Sequence, residues 1–550
     1  MRQQKFVILA VSLVLAGSAP AEVRRPAAAQ AGEGIVRLRA LDGDDVVPAR
    51  MLLRTESGVE VVPTGALTLV GECRDLSAAA TLDDVAASAR FEFPDARTGS
   101  RQFYVAGSLR SALPAGNYTI TGFRGPEYRL AHQDFEIQEG SETVVDLGLE
   151  RWVDMAGEGW HSGDTHLHVA RPDGSRDEDL LAWLGAEDLR VGNLLQWGNL
   201  AGFYNAAHAD FAPVLGEAGG RPTILLPGQE NPRTEFLGHA MGLAPRHAVN
   251  LSRDYFNYSR FAAELRRAGG VVGIGHAGEW GGSASVALLG TWDLLDFVEV
   301  FTFRTPDYTY WYEALNAGLQ VAATAGSDFP CGGGGVPPGS PRVYAQIDDG
   351  LGPDAWGDAV RDGRTFVTNG PMLDLAVDER GMGETLVLAR AGEVTVSGRV
   401  RFDPERESVR ALDVLRNGEV IEVHTVATAP GEIAFRTRVG IHEASWLAIR
   451  AFGSKTGTVP QWRNTFAHSG AVFVRPADSP PASATARAVT VRRAWRERLQ
   501  DLFAQLADRS QHERLMGVGK DGAASDEFAR HALGLLRELQ RTLDYGQLPR

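Results

Sequence analysis

Two histidines stand one residue apart in the chain, His166 and His168, in a stretch (residues 160–169) that is typical of a β-strand. Side chains two positions apart point to the same face of a strand, so both imidazoles can bind one metal ion. Asp164 falls on that face as well and could orient one of the histidines. A pair of this kind also occurs in solvent-exposed strands without a metal, so the motif alone leaves both interpretations open.

Five further residues with metal-binding or acid–base side chains follow, most of them in or just after an apolar run: Glu230, His239, His276, Glu299 and Asp328. Singly, each has an ordinary explanation, because a lone histidine is usually a structural hydrogen-bonding residue and a lone aspartate often caps a helix. A series of five after the histidine pair is hard to obtain by chance. We therefore predict a metal site.

The region between residues 157 and 378 alternates apolar runs with amphipathic stretches. Strands are predicted at 223–226, 271–274, 297–301 and 321–325, and helices at 177–189, 258–268 and 308–317. Such alternation predicts the α/β class, with a mainly parallel sheet or barrel. Reactive side chains gather at the carboxyl ends of the strands in these folds, which is where most of the polar series lies.

The ordered series resembles the polymerase-and-histidinol-phosphatase (PHP) metallohydrolases, most closely the exported carbaryl-hydrolase-like (CehA/McbA) branch. The resemblance rests on the histidine pair, on Pro-Gly-Gln-Glu at 227–230, and on Gly238-His239, Gly275-His276 and Gly326-Ser-Asp328. The segments 341–344, 364–371 and 466–474 are also similar to that branch. It implies a distorted PHP-type β/α barrel of seven strands, flanked by two β-sandwich domains and a C-terminal helical tail.

The resemblance also implies the ligands of two divalent metals. The first metal would take His166, His168, Glu230 and Asp328, and the second would take His239 and His276 with Glu230 as the bridge. A third metal is not expected, because Leu195 to Asn199 replace a Thr-Asp-His motif and Pro330 replaces a histidine. We expect two metals per chain, with a mononuclear site as the alternative.

Nitrogen and carboxylate ligands suit zinc or manganese, and also iron. Such a metal lowers the pKa of a bound water to about 7 and so supplies hydroxide at neutral pH. A second metal or a cation can stabilise the oxyanion. Arg342 is our candidate for the cation, with Arg233 and Arg304 beside it, and a surface or structural ion pair is the other interpretation of each arginine. Glu299 is predicted to orient a ligand or to act as a base, and Trp197, Trp280 and Trp311 are candidate pocket residues.

We divide the chain into a signal peptide (1–21), a β-sandwich-like domain (34–152), the metal-binding domain (157–378), a second β-sandwich (388–475) and a helical tail (488–550). The signal is inferred from the basic Arg2 and Lys5, a short apolar run and Ala19-Pro20-Ala21. We therefore expect a periplasmic or secreted protein that keeps no membrane anchor after cleavage. The tail helices pack on the chain itself or form a homodimer contact.

Composition restricts the function further. The formal net charge is −15 at pH 7, and no stripe of basic residues with interleaved aromatics is present in the sequence, which argues against nucleic acid as a partner. The leading hypothesis is a hydrolase that cleaves an ester, carbamate or amide bond of a small-molecule or ester-type substrate. A phosphoesterase and a non-catalytic surface-binding protein with a structural metal remain as alternatives.

Overall fold

The computed structural model of the protein describes residues 32–67, 69–70, 90–91, 101–198, 204–205, 208–234, 236–250, 254–278, 281–302, 305–330, 337–425, 431–455, 464–511, 515 and 522–545. The predicted signal peptide at residues 1–21 lies outside these ranges, as do Trp280, Arg304 and Cys331. Strand makes up 46% of the described residues and helix 22%.

The first part of the chain is built of short strands. They are β1 (Glu33–Asp42), β2 (Asp45–Val47), β3 (Ala49–Thr55), β4 (Glu60–Val61), β5 (Leu69–Val70), β6 (Arg90–Phe91), β7 (Gln102–Val105), β8 (Ser108–Pro114), β9 (Gly116–Phe123), β10 (Ala131–Ile137) and β11 (Glu142–Leu149). One sheet has the order β11-β1-β2 with β8 on β1, and another has the order β10-β9-β3-β4 with β7 on β3. Leu38 of β1 and Ile120 of β9 belong to one buried cluster, so the two sheets share a core.

The middle of the chain alternates strands with short helices. The strands are β12 (Trp160–Leu167), β13 (Val191–Gly198), β14 (Tyr204–Asn205), β15 (Val214–Ala218), β16 (Arg221–Thr234), β17 (Gly238–Leu243), β18 (Val271–Gly275), β19 (Phe297–Thr302), β20 (Thr305–Pro306), β21 (Ala322–Ala325), β22 (Arg342–Gln346) and β23 (Thr365–Thr368). The helices are α1 (Asp177–Ala186), α2 (Tyr258–Arg267), α3 (Gly282–Thr291), α4 (Thr309–Asn316) and α5 (Pro353–Arg361). The three helices and four strands predicted here are confirmed.

The last part of the chain returns to strands and ends in two long helices. The strands are β24 (Met372–Val377), β25 (Thr385–Leu388), β26 (Gly392–Arg401), β27 (Glu407–Arg416), β28 (Glu419–Thr425), β29 (Glu432–Ile441), β30 (Ser445–Lys455), β31 (Asn464–Ser469) and β32 (Val472–Pro476). The helices are α6 (Ala486–Ala507) and α7 (Gly522–Tyr545). Strands β24, β26 and β29 form their own sheet.

An 18-stranded sheet connects the middle of the chain to its last part. The strands β12, β13 and β16 pair in parallel, and so do β18, β19 and β21. Between these two sets, β17 pairs antiparallel with both β16 and β18. Strands β22, β23 and β31 continue from β12 by antiparallel pairing.

The predicted α/β class with a PHP-type β/α barrel is wrong. The described structure is mostly β, with large multi-stranded sheets and seven α-helices, and no such barrel is evident in it. The four named strands and three named helices form, but the prediction took their alternation to mean a mainly parallel arrangement and did not include the other strands of this region. Strand β16 instead turns back directly into β17, and several short strands add antiparallel pairs.

The helical tail packs on the middle of the chain. Trp495 of α6 donates to Oε2 of Glu313 on α4 at 3.1 Å, and Trp292 at the end of α3 donates to Oγ1 of Thr542 on α7 at 2.8 Å. Two long helices make up the tail, and Leu533 on α7 is 54% exposed. Among the described residues, no helix is sufficiently long and apolar to cross a membrane.

Glu538 on α7 gives the docking of the tail a pH dependence. Its Oε1 accepts from the backbone N–H of Ser259 at 2.9 Å, and burial raises the pKa of Glu538 to about 7. An unfolded glutamate titrates near 4.5, so folding gains stability as the pH falls from 7 towards 4.5, by about 3 kcal/mol. Above pH 7 the buried side chain is ionised and this stabilisation is lost.

We predict that Glu538→Gln melts several degrees higher than the wild-type chain at pH 8, and that the two melting temperatures converge at pH 5. Glutamine keeps the acceptor for Ser259 but carries no charge. Thermal unfolding followed by circular dichroism across pH 5–8 measures the difference. Glu497→Gln, an exposed position on α6, is the control. A difference that does not change with pH would contradict the prediction.

Candidate metal centre

The histidine pair lies at the end of strand β12. His166 is the penultimate residue of the strand, and His168 is the first residue after the strand. Both side chains are buried. Their Nε2 atoms are 3.1 Å apart, so the two imidazoles converge, as the alternation of side chains along a strand requires. The sequence motif therefore brings two nitrogens to one point.

A hydrogen bond on the far side of each ring determines which nitrogen faces that point. Nδ1 of His166 lies 3.1 Å from Oε2 of Glu299 on β19, and Nδ1 of His168 lies 2.9 Å from the carbonyl of Leu195 on β13. A carboxylate and a carbonyl accept hydrogen bonds, so each Nδ1 carries a proton. When the ring is neutral, its Nε2 presents a lone pair to the centre.

Glu230 on β16 is the carboxylate that the imidazoles share. Its Oε1 lies 2.7 Å from Nδ1 of His239 and 3.6 Å from Nε2 of His276. The same carboxylate lies 3.5 Å from Nε2 of His166, through Oε1, and 3.3 Å from Nε2 of His168, through Oε2. Four imidazoles thus surround one buried carboxylate.

Asp328, three residues beyond β21, supplies a second carboxylate. Its Oδ1 lies 3.3 Å from Nε2 of His166 and 3.0 Å from Nε2 of His168. Its side chain is 8% exposed, whereas that of Glu230 is 1% exposed. Asp328 is therefore the carboxylate of the cluster with the better access to water.

These six buried side chains form three overlapping groups, in each of which the ligand atoms lie within 4.8 Å of one another: His166–His168–Glu230, His166–His276–Asp328 and Glu230–His239–His276. Each group could hold a metal ion. We refer to His166–His168–Glu230 as the first ligand group and to Glu230–His239–His276 as the second. The six predicted metal residues are brought together in the structure.

The ligand atoms of the six residues suit a bound cation. Oε2 of Glu230 and Oδ1 of Asp328 are buried and accept no hydrogen bond of normal geometry from the described residues. Leaving a buried carboxylate oxygen without a well-aligned hydrogen-bond donor is costly. Lone pairs of Nε2 and of carboxylate oxygens facing each other at this distance repel unless a cation lies between them, so the arrangement suits a bound metal.

The surroundings of Glu230 and His239 favour the protonation states that a metal ligand needs. Burial favours the neutral form of Glu230, but the charges of Arg233, His239 and His166 outweigh burial and hold its pKa well below the usual range. Burial lowers the pKa of His239 to about 3, although Glu230 opposes it. A metal requires ionised carboxylates and neutral imidazoles, and these two side chains meet that requirement at neutral pH.

His166 behaves differently from His239. Burial opposes its charged form, but the carboxylates of Asp328, Glu299 and Glu230 outweigh burial and raise the pKa of His166 well above the usual value. The centre therefore attracts positive charge at the point where the first ligand group converges. A divalent cation bound there would displace that proton.

The backbone is strained at two of the ligands. His276 has a φ of 29° and Asp328 a φ of 50°, and a side chain with a Cβ rarely adopts this left-handed region. Gly326 allows β21 to approach β12 closely, because a Cβ on it would lie 2.5 Å from Cβ of His166. Strain at clustered polar residues is typical of functional sites.

Asp164 connects the ligand strand to the turn that carries Asp328. Its carboxylate accepts from the backbone N–H of His166 at 2.9 Å, from Oγ of Ser327 at 2.6 Å and from the backbone N–H of Gly339 at 2.7 Å. The backbone N–H of Ser327 also donates to it, at 3.0 Å. Burial raises the pKa of Asp164 to about 6 against these hydrogen bonds. Asp164 thus bonds the backbone of His166, whereas the ring of His166 is contacted by Glu299.

The candidate catalytic residues lie in different places. Glu299 is buried behind His166 and also accepts from the backbone N–H of His276 at 3.2 Å, contacts that match the orienting role predicted for it. Arg233 is the predicted cation beside the cluster, with Nε 3.3 Å from Oε2 of Glu230. Arg342 instead donates to the carbonyls of Gly339 and Glu187, at 2.5 and 2.9 Å. Neither carbonyl belongs to the ligand groups.

Other predicted residues lie away from the cluster or outside the described ranges. Trp311 is buried against Trp446 and donates to the carbonyl of Val321 at 2.8 Å, which is a core position. Trp280, Arg304 and the side chain of Trp197 lie outside the described parts. The carbonyl of Leu195 has no signal in the sequence, because every residue carries a backbone acceptor.

Comparisons with known proteins assign no family and no function to this chain. The chain matches no protein-family model and no curated protein. Among solved structures, it is similar to GBS52, the minor pilin of the Gram-positive pathogen Streptococcus agalactiae, at 12% identity over 22% of this chain and 47% of the pilin chain. The TM-score is 0.14, and a value this low supports no argument about fold or function.

We predict that Asp164→Asn destabilises the chain by roughly 3 kcal/mol. In the wild type both carboxylate oxygens accept hydrogen bonds, whereas in the variant the NH₂ group of asparagine would face groups that also donate. Chemical denaturation of the metal-free chain measures the loss. Asp173→Asn is the control, since Asp173 is exposed and its hydrogen bonds with described residues are to Ser175, a neighbour in the chain. Equal stability of the two variants would contradict the structural role of Asp164.

Proposed function

We propose that the protein is an exported metal-dependent hydrolase that cleaves an ester, carbamate or amide bond in a small-molecule substrate. The observation that supports this proposal is the convergence of four buried imidazoles and two buried carboxylates on one point, where two carboxylate oxygens accept no hydrogen bond of normal geometry from the described residues. Export rests on the N-terminal sequence, and the PHP relationship rests on the order of the ligand residues along the chain.

We propose two divalent ions per chain, zinc or manganese, held by the first and second ligand groups with Glu230 between them. Structural zinc sites are usually closed by cysteines and histidines, whereas mixed histidine and carboxylate ligands are typical of catalytic sites. When bound, the ions supply Lewis acidity, which lowers the pKa of a coordinated water and polarises the substrate oxygen.

The chain's own residues hold and orient this site. Glu299 and the carbonyl of Leu195 fix the rings of His166 and His168, so that Nε2 of each faces the centre. Arg233, whose side chain is 24% exposed, lies where it can stabilise negative charge that develops on a substrate oxygen. Asp328 is the cluster carboxylate with access to water and can exchange a proton with it.

A dense cluster of arginines and lysines around the site would favour a phosphoesterase, and the described residues show no such cluster. Arg233 contacts Glu230, while Arg342 binds backbone carbonyls away from the ligand groups. A phosphate carries about two negative charges and is usually held by several cations or by helix N-termini. We therefore favour a substrate whose scissile group is uncharged, and the assay below separates the two.

We predict about two ions per purified wild-type chain, and a loss of metal and of hydrolysis in His168→Ala and Glu230→Ala. Removing either side chain takes a ligand from the first ligand group, and Glu230 belongs to both groups. Metal-dependent stabilisation of charge contributes several kcal/mol, so we expect hydrolysis to fall by about 10³-fold.

Elemental analysis and a panel of aryl esters, aryl carbamates, anilides and phosphoesters measure both quantities. His442→Ala and Glu419→Ala, at exposed positions, are the matched controls and should keep metal and activity. Turnover of phosphoesters alone would replace the proposed reaction with phosphoester hydrolysis. A chain without metal, and without metal-dependent turnover of any panel member, would leave the surface-binding alternative.

A further inference from the structure

The C-terminal helix α7 reaches the candidate metal centre through one intervening segment. We define the bracing segment as residues 254–259, which precede and begin α2. Nδ1 of His531 on α7 accepts from the backbone N–H of Tyr255 at 3.1 Å, and Glu538 accepts from that of Ser259 at 2.9 Å. Tyr255 and His531 are 276 residues apart in the chain.

The opposite side of the bracing segment holds the hairpin of β16 and β17, which carries Glu230 and His239. The hydroxyl of Tyr255 accepts from the backbone N–H of Arg233 at 2.9 Å. The hydroxyl of Tyr258 donates to the carbonyl of Gly238 at 2.5 Å. The tip of the hairpin is therefore bound on both of its strands by the segment that α7 contacts.

Aromatic packing connects the same three parts. The ring of Phe236, in the hairpin turn, lies 5.1 Å from that of Phe256 in the bracing segment and 6.0 Å from that of Phe528 on α7. The rings of Phe256 and Phe528 are 5.2 Å apart. Each pair meets edge to face, an arrangement that fixes the relative position of the rings.

We propose that α7 is a positioning element for the second ligand group, acting from His531 through Tyr255 to the hairpin that carries Glu230, Arg233 and His239. His531 and Tyr255 are positioning residues and do not bind the metal. This inference rests on the proposed dinuclear site. The first ligand group shares Glu230 with the second but depends less on the tail, since its other two ligands, His166 and His168, are fixed by Glu299 and Leu195 and lie outside the hairpin.

The test is a titration of the metal-free full chain with Zn²⁺ against a competing chelator, which yields a dissociation constant for each bound ion. Residues behind the ligands of a metal site typically change its affinity by 10–100-fold. We expect His531→Ala to weaken the second ion by about 10-fold and to change the first by less than about 2-fold. Tyr255→Phe should have the same selective effect, because it removes the acceptor of the Arg233 N–H.

Two further variants separate positioning from a general loss of stability. His531→Asn should restore the second ion, because its Oδ1 can accept in place of Nδ1. Thr542→Val removes a different hydrogen bond of α7, the one from Trp292, and should leave both constants unchanged. The double variant of His531→Ala and Tyr255→Phe should bind the second ion no more weakly than either single variant. Both substitutions interrupt the same path from α7 to the hairpin, so their effects should not add.

The outcomes distinguish this inference from the proposed function. A wild-type chain that binds fewer than two ions contradicts the dinuclear site itself. Two ions in the wild type with unchanged constants in His531→Ala overturn the role of α7. An equal loss in His531→Ala and Thr542→Val also overturns it, because the tail would then act through overall stability alone.

Discussion

The buried carboxylate of Glu230 imposes the strongest physical constraint on this protein. A carboxylate that is 1% exposed must be compensated by positive charge or by hydrogen-bond donors. Its surroundings supply Arg233 and four imidazoles, yet one of its oxygens still accepts no hydrogen bond of normal geometry from the part of the chain that the structure describes. The chain concentrates basic nitrogens around an anion that is left incompletely paired, and a divalent cation completes such an arrangement.

Several distant parts of the chain must meet to satisfy that constraint. Strand β12 brings the histidine pair, β16 and β17 bring Glu230 and His239, and the turns after β18 and β21 bring His276 and Asp328. The positive φ angles at the last two residues and the glycine at 326 show that this convergence is obtained at a conformational cost. Asp164 offsets part of that cost by bonding the ligand strand to the turn before Asp328.

The fold class shows where local sequence patterns lose their predictive value. Periodicity predicted the helices and strands near their observed bounds, because each pattern reflects the burial of one face of one element. It did not predict how strands pair, since an apolar strand followed by a turn can run parallel or antiparallel to its neighbour. Glu230 lies inside the long strand β16, and β16 turns directly into β17. The resulting structure is mostly β.

The sequence by itself determined the types and the order of the donor residues, and the spacing of His166 and His168 placed both on one face of a strand. Tertiary structure alone decided which nitrogen of each ring faces the centre, because the partners are Glu299 and the carbonyl of Leu195 from other strands. It also placed Arg233 beside Glu230 and turned Arg342 towards backbone carbonyls elsewhere. The contact of the tail with Tyr255 spans 276 residues. Contacts between residues so far apart leave no local periodicity in the sequence, so only the folded chain reveals them.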